Sequence, residues 1–251
     1  ARGHPGMHVL PALLALAEPS DINGEAFITA FVIAYDVAAR LGIASQLRHS
    51  MHPHGTWGVV GGITGLTKLK QYDANTITRG INIASSLSLA TSRKTMLEGG
   101  TVRNVYTGVS NQMAHMALDL LDSGFDGEHD GLSSVFGQVV SEQFDPSVMI
   151  NGLGKTWEMD RNYFKLHACC RFNHAALDAL VHIIETYGGQ FEVNDISQID
   201  VSTYHLAAEL NDPKPRNSLA ARFSVPFAMA TTLINGTSNI SSFSGDALTN
   251  P

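Results

Sequence analysis

Three groups of residues in this sequence of 251 residues could bind anions and move protons. The first is the run Lys165-Leu166-His167-Ala168-Cys169-Cys170-Arg171-Phe172-Asn173-His174, which brings an ammonium, a guanidinium and two imidazoles close together. Ammonium and guanidinium groups carry positive charge, and an imidazole titrates near neutral pH, so such a set suits carboxylate neutralisation and proton transfer. The second is Glu98-Gly99-Gly100-Thr101-Val102-Arg103-Asn104-Val105-Tyr106-Thr107-Gly108. Here glycines flank Arg103 ahead of a helical pattern, where a guanidinium can grip a carboxylate through paired N–H bonds. A solvated surface arginine fits that spacing equally well. The third group is imidazole: His4 and His8 near the start, and His49, His52 and His54 crowded into a loop broken by Pro53. That loop leads into a helical pattern at Thr56, and free backbone N–H groups at a helix start can hold anions.

Other chemistries lack their signatures. His-x-His spacing occurs in zinc sites, but no His-Glu-x-x-His and no Cys-x2-Cys is present to fix further ligands, so no metal is assigned. The Gly-rich run Gly58-Val59-Val60-Gly61-Gly62-Ile63-Thr64-Gly65 is not followed by Gly-Lys-Ser/Thr, which argues against a nucleotide loop. No Gly-x-Ser-x-Gly elbow supports a serine hydrolase. The net charge is −7, against nucleic acid as a partner, though a few focused cations can still bind carboxylates on an acidic protein. Adjacent Cys169 and Cys170 are the only cysteines. They read as buried thiols in a reducing compartment, cytoplasmic or, in a eukaryote, mitochondrial. No apolar run reaches the ~18 residues needed to cross a bilayer, so no membrane association is expected.

The elements around these groups are mostly helical. Apolar spacing predicts helices over 9–18, interrupted by Pro19-Ser20-Asp21, and over 25–41, closed by Gly42. Small residues over 56–70 predict a tightly packed helix. Asp73 can cap a helix over 74–90, another covers 104–123 up to Gly124, and a short one lies near 131–142. After about residue 160 the pattern changes. A strand-to-turn over 161–172, a helix from His174 to Tyr187 ending at Gly188-Gly189, an alternating strand over 196–205 and a helix over 217–235 read as α+β. The expectation is a mainly α protein: a large helical domain over 1–160 and a smaller α+β lid domain over 161–251, both incomplete.

Taken together, the motifs resemble the MmgE/PrpD family. The resemblance is carried by His4-Pro5-Gly6 with Val9-Leu10-Pro11, Tyr35-Asp36-Val37 with Arg40-Leu41-Gly42, and His52-Pro53-His54-Gly55-Thr56-Trp57-Gly58. It continues through 98–108, through 165–174 with Asp178-Ala179, and in Ala221-Arg222-Phe223-Ser224-Val225-Pro226-Phe227-Ala228. It implies a homodimeric, cofactor-independent lyase or isomerase of small di- or tricarboxylates, with its site between a helical domain and a lid. The implied catalytic residues are His4, His52, Lys165 and Tyr204, with Arg103 binding substrate. Thr101, Arg171 and His174, from the same segments, are further substrate-binding candidates. The decarboxylase branch carries Lys where this chain has Arg103, so dehydration of a 2-methylcitrate-like hydroxy-tricarboxylate is the leading expectation. Epimerisation, decarboxylation and a non-catalytic truncated member are the alternatives. The family's acidic motif upstream of His4 and its C-terminal return segment are not in this sequence, which is expected to be part of a longer chain. Acid and base roles stay unassigned.

Overall fold

The computed structural model describes residues 3–187 and 192–249. Its elements are α1 (Pro5–Ala17), α2 (Gly24–Ala44), β1 (Ser45–Leu47), β2 (Met51–His52), α3 (Gly58–Leu69), α4 (Ala74–Ser86), β3 (Thr91–Ser92), α5 (Lys94–Leu97), α6 (Tyr106–Asp122), β4 (Ser141–Phe144), α7 (Ser147–Ile150), α8 (His174–Tyr187), α9 (His205–Ala208), α10 (Ser218–Ala221), α11 (Val225–Asn235) and α12 (Gly245–Thr249). The protein is mainly α, as expected. Its strands form two short antiparallel ribbons, β1 with β4 and β2 with β3. The chain divides into two compact units, residues 3–93 with 104–162, and residues 94–103 with 163–249.

In the first unit α3 is the hub, packed against α1, α2, α4 and α6. All of α3 except Lys68 is buried. Its glycines make this possible: a Cβ on Gly61 would come 2.7 Å from Ala38 Cβ, and one on Gly65 2.7 Å from Leu13 Cδ1. Poor helix formers are tolerated because close packing supplies the stability that propensity does not.

Helix α1 contains Pro11, which has no N–H for the Met7 carbonyl. Asn111 on α6 repairs the gap. Its Nδ2 donates to Met7 O at 3.0 Å, and its Oδ1 accepts from Ala12 N–H at 2.9 Å. Helix α2 runs past the expected stop at Gly42, which lies under Trp57, where a Cβ would come 3.2 Å from the indole. A buried pair fixes its outer end: Arg40 Nε donates to Asp36 Oδ2 at 2.6 Å, with both side chains 2% exposed. By length and composition α2 could cross a membrane, contrary to the expectation for any segment here. Its packing on α1 and α3 and this buried ion pair account for it as a core helix.

Asp73 caps α4, accepting from Thr76 N–H at 2.8 Å, and α6 ends before Gly124 at φ +85°. Near 131–142 the observed element is a π-helical segment, Leu132–Val139.

The second unit has its own core, with Met96, Cys169, Leu177, Leu180, Leu210, Ala228, Met229 and Phe243 buried together. The strand character expected over 161–172 and 196–205 does not form a ladder among the described residues. The 196–204 segment runs without regular structure, and Ile199 and Val201 stay partly exposed. The helix expected over 217–235 is split, because Ser224 and Pro226 start a new one. Ser224 Oγ accepts from Phe227 N–H at 3.0 Å, and Gly236 at φ +65° ends α11. The expected stop at Gly188-Gly189 lies outside the described residues.

Candidate active site

In the first unit the loop over 49–57 is held by its neighbour over 87–93. Met51 pairs with Ser92 and His52 with Thr91, Leu89 N–H donates to Gly55 O at 3.0 Å, and Thr56 Oγ1 donates to Leu89 O at 3.1 Å. Gly55 takes φ +86°, which turns the chain towards α3. This places His52 and His54 beside the start of α1. The His54 ring meets His52, His4 and His8 edge-on, with centroids 4.5, 5.0 and 5.4 Å apart, and His52 also meets Tyr106 at 5.9 Å. His8, His52 and His54 are buried. The predicted residues His4 and His52 are thus brought into one imidazole cluster. His54 and His8, which the sequence offered in the histidine group without assigning them a role, and Tyr106 complete it. Crowding of histidines was the available signal for the first two. Nothing in the spacing pointed to Tyr106, which arrives from α6.

The remaining predicted residues lie in the second unit. Gly99, at φ +68°, lies against Asn217, whose Nδ2 donates to Gly99 O at 2.9 Å while its Oδ1 accepts from Ala220 N–H at 3.0 Å. That tie presents Thr101, which is exposed, and Arg103, whose guanidinium lies 5.2 Å from the Phe223 ring centroid. Arg171 covers Tyr163 at 4.9 Å, and Tyr204 meets Phe172 edge-on at 5.6 Å. Lys165 Nζ reaches Cys169 O at 3.5 Å.

The electrostatics tie these residues together. Desolvation, the largest cause, lowers the Lys165 pKa. The thiols of Cys170 and Cys169 oppose that shift, and Arg103 and Arg171 add to it. Arg103 and Arg171 thus both lie within electrostatic reach of Lys165. Desolvation, then Cys170, raises the Tyr204 phenol, which keeps its proton at neutral pH. Burial pushes the Cys169 thiol up to about 12, which leaves it inert as a nucleophile.

His167 is held on both ring nitrogens, by Asp178 at 2.9 Å through Nε2 and by Ser238 through Nδ1, and its ring meets His174 at 5.0 Å. Desolvation first, then His167 and Arg171, drives His174 down to about 4. His174 is therefore a neutral imidazole at physiological pH and serves as a hydrogen-bonding group, not a cationic clamp. A stability prediction follows with a definite sign. Between the ordinary histidine value of ~6.5 and about 4 the unfolded chain binds the proton that the native one refuses. Stability should therefore fall as the pH drops through that window, by on the order of 3 kcal/mol from this residue. Urea unfolding followed at a series of pH values should show the drop reduced in His174→Gln; identical profiles for the two proteins would contradict it.

Two domain models from one family cover almost the whole chain: the MmgE/PrpD N-terminal domain over residues 1–148 and the MmgE/PrpD C-terminal domain over 167–251. The chain belongs to the MmgE/PrpD family. Among curated proteins it is similar to the cis-aconitate decarboxylase-like protein oryM of Aspergillus oryzae, 22% identical over 280 residues, covering 98% of this chain and 56% of the relative. It is also similar to a cis-aconitate decarboxylase of Aspergillus terreus, 22% identical over 266 residues, covering 96% of this chain and 54% of the relative. This MmgE/PrpD chain therefore spans about half the length of the curated relatives it matches.

Proposed function

We propose that this protein is a cofactor-independent lyase acting on a tricarboxylate. The observation that carries the reading is that Arg103 and Arg171 both act on Lys165, so the second unit sets two guanidinium groups within electrostatic reach of one ammonium. Each guanidinium repels the Lys165 ammonium, and a bound polyanion offsets that repulsion. Fixed positive charge also stabilises the anionic charge that develops when a bond beside a carboxylate breaks.

Within this class, decarboxylation of an unsaturated tricarboxylate is favoured. One carboxylate leaves as CO2, the electron pair of the broken C–C bond passes to carbon and is delocalised into a carboxylate held by the cations, and a donor protonates carbon. Tyr204, which keeps its proton, suits the donor role, and the curated relatives are named for this chemistry. Dehydration of a 2-methylcitrate-like hydroxy-tricarboxylate is the second reading, favoured by Arg103 standing where the decarboxylase branch carries Lys. It needs a base for the carbon-bound proton and an acid for the departing hydroxyl. In either case a homodimer is the proposed working state.

One experiment separates the two readings. Purified protein is incubated with cis-aconitate, citrate and 2-methylcitrate, and products are followed by proton NMR, with thermal unfolding measured in parallel. Release of CO2 from cis-aconitate supports the first reading, and water loss from a hydroxy-acid the second. A bound tricarboxylate at a hundredfold its Kd should stabilise by about 2.7 kcal/mol. Neither turnover nor stabilisation with any of the three would overturn the proposal.

A further inference from the structure

Arg171 is the cation that the other groups of the second unit share: it acts on Lys165, on the Tyr204 phenol and on His174. Its backbone is fixed. Cys170 N–H donates to Arg222 O at 2.8 Å, Asn173 N–H to Cys170 O at 3.0 Å, and Asn173 Nδ2 to Ser224 O at 3.3 Å, which pins the turn Arg171–Asn173 ahead of α8. Its side chain is held differently. Among the described residues the guanidinium makes no hydrogen bond and no ion pair, and what holds it is the ring of Tyr163, whose centroid lies 4.9 Å from Cζ. That is within the ~6 Å at which a cation is drawn to an aromatic face. The Tyr163 hydroxyl makes no hydrogen bond among the described residues either, so the ring is its contribution. Arg171 and Tyr163 are both exposed, and a dissolved anion can reach the pair. The arrangement recurs at Arg103, 5.2 Å from the Phe223 ring.

We infer that Tyr163 is a positioning residue, whose ring holds the Arg171 guanidinium in place to bind a substrate carboxylate. An exposed arginine has several rotatable bonds, and freezing them when an anion binds costs affinity. A guanidinium already held over a ring has lost part of that freedom beforehand. Attraction to a ring face also brings no acceptor to compete for the N–H donors, so they stay available for a carboxylate. Because Arg171 acts on Tyr204 as well, a carboxylate bound there sits within electrostatic reach of the proposed proton donor. The carboxylate half of this inference rests on the lyase reading; the contact between ring and guanidinium does not.

The test uses citrate as the probe, with its Kd measured by titration calorimetry. Tyr163→Leu, which keeps an apolar side chain and loses the ring, should weaken citrate binding by about three- to tenfold. Tyr163→Phe, which keeps the ring face, should restore most of that affinity. In an Arg171→Gln background the Tyr163→Leu change should cost less than about twofold, because the group it positions is gone. A loss of the same size in both backgrounds is what a merely structural tyrosine would give, and it would overturn the positioning role. A Tyr163→Phe protein as weak as Tyr163→Leu would overturn it too. Spectra of the chain labelled with nitrogen-15 arginine supply the second arm. The Arg171 Nε–H signal, identified by its loss in Arg171→Gln, should move in Tyr163→Leu, where the ring current is gone, and stay near its wild-type place in Tyr163→Phe. An unmoved signal in Tyr163→Leu would overturn the contact itself. If the wild type binds no citrate, the lyase reading and the carboxylate half fail together, while the spectra still decide the contact.

Discussion

Replacing Lys165 by Ala is expected to lower kcat/KM for tricarboxylate turnover by about 10²–10³-fold, while leaving thermal stability unchanged or slightly raised. The two halves of that expectation come from the same electrostatics. Desolvation, with Arg103 and Arg171 nearby, lowers the Lys165 pKa, and its hydrogen bond to Cys169 O is long at 3.5 Å. Its removal relieves repulsion in the unliganded protein and takes away charge that a polyanionic transition state needs. Two companion measurements make the attribution specific. Citrate should raise the melting temperature of the wild type more than that of Lys165→Ala, because the variant has lost a clamp. Lys165→Arg keeps the charge but cannot release a proton near neutral pH. Substantial activity in Lys165→Arg marks an electrostatic role, and activity as low as that of the alanine variant marks proton transfer. Lys165→Ala with wild-type kcat/KM would remove the residue from the mechanism.

What the sequence made legible follows from the range of the interactions involved. The capped helices α4 and α6 were readable because their signals are local: Asp73 accepts from an N–H three residues on, and Gly124 takes a left-handed turn. Gly42 misled for the opposite reason. A glycine near the end of an apolar helix resembles a stop, but here it makes room for Trp57, a contact that no local pattern encodes. The repair of Pro11 by Asn111 is likewise invisible in either segment alone, since the partners are about a hundred residues apart in sequence. The alternation over 196–205 predicts a strand only if a neighbouring strand takes up its backbone groups, and none does among the described residues. The site divides the same way. Residue types identified Lys165, Arg171 and His174 as a reactive run, but the neutrality of His174 depends on burial and on His167 beside it. The bond from His54 N–H to His52 Nδ1 spans two residues. Even so, it could not be read from His-Pro-His, because it requires the loop geometry imposed by the ribbon with Thr91 and Ser92.

The largest stability effect is expected at Arg40. Its guanidinium donates to Asp36 Oδ2 at 2.6 Å, to Asn151 O at 2.7 Å, to Thr156 O at 2.8 Å and to Val148 O at 3.2 Å. Asp36 Oδ1 meanwhile accepts from Glu158 N–H at 2.8 Å. One buried ion pair on α2 thus ties down four backbone groups between residues 148 and 158, so the Asp36/Arg40 part of the family-like motif has a structural cause. Arg40→Met keeps the volume of the side chain but strands Asp36 as a buried charge and leaves three carbonyls without their donor. The expected cost is about 3–5 kcal/mol, measured by urea unfolding. The double variant Asp36→Leu/Arg40→Met should recover part of that loss, because no lone charge remains, yet should not reach the wild type, because the loop carbonyls still lack partners. If Arg40→Met unfolds with wild-type stability, the pair is a surface-like ornament despite its burial. If the double variant matches the wild type, the loop is held by its packing and not by the guanidinium.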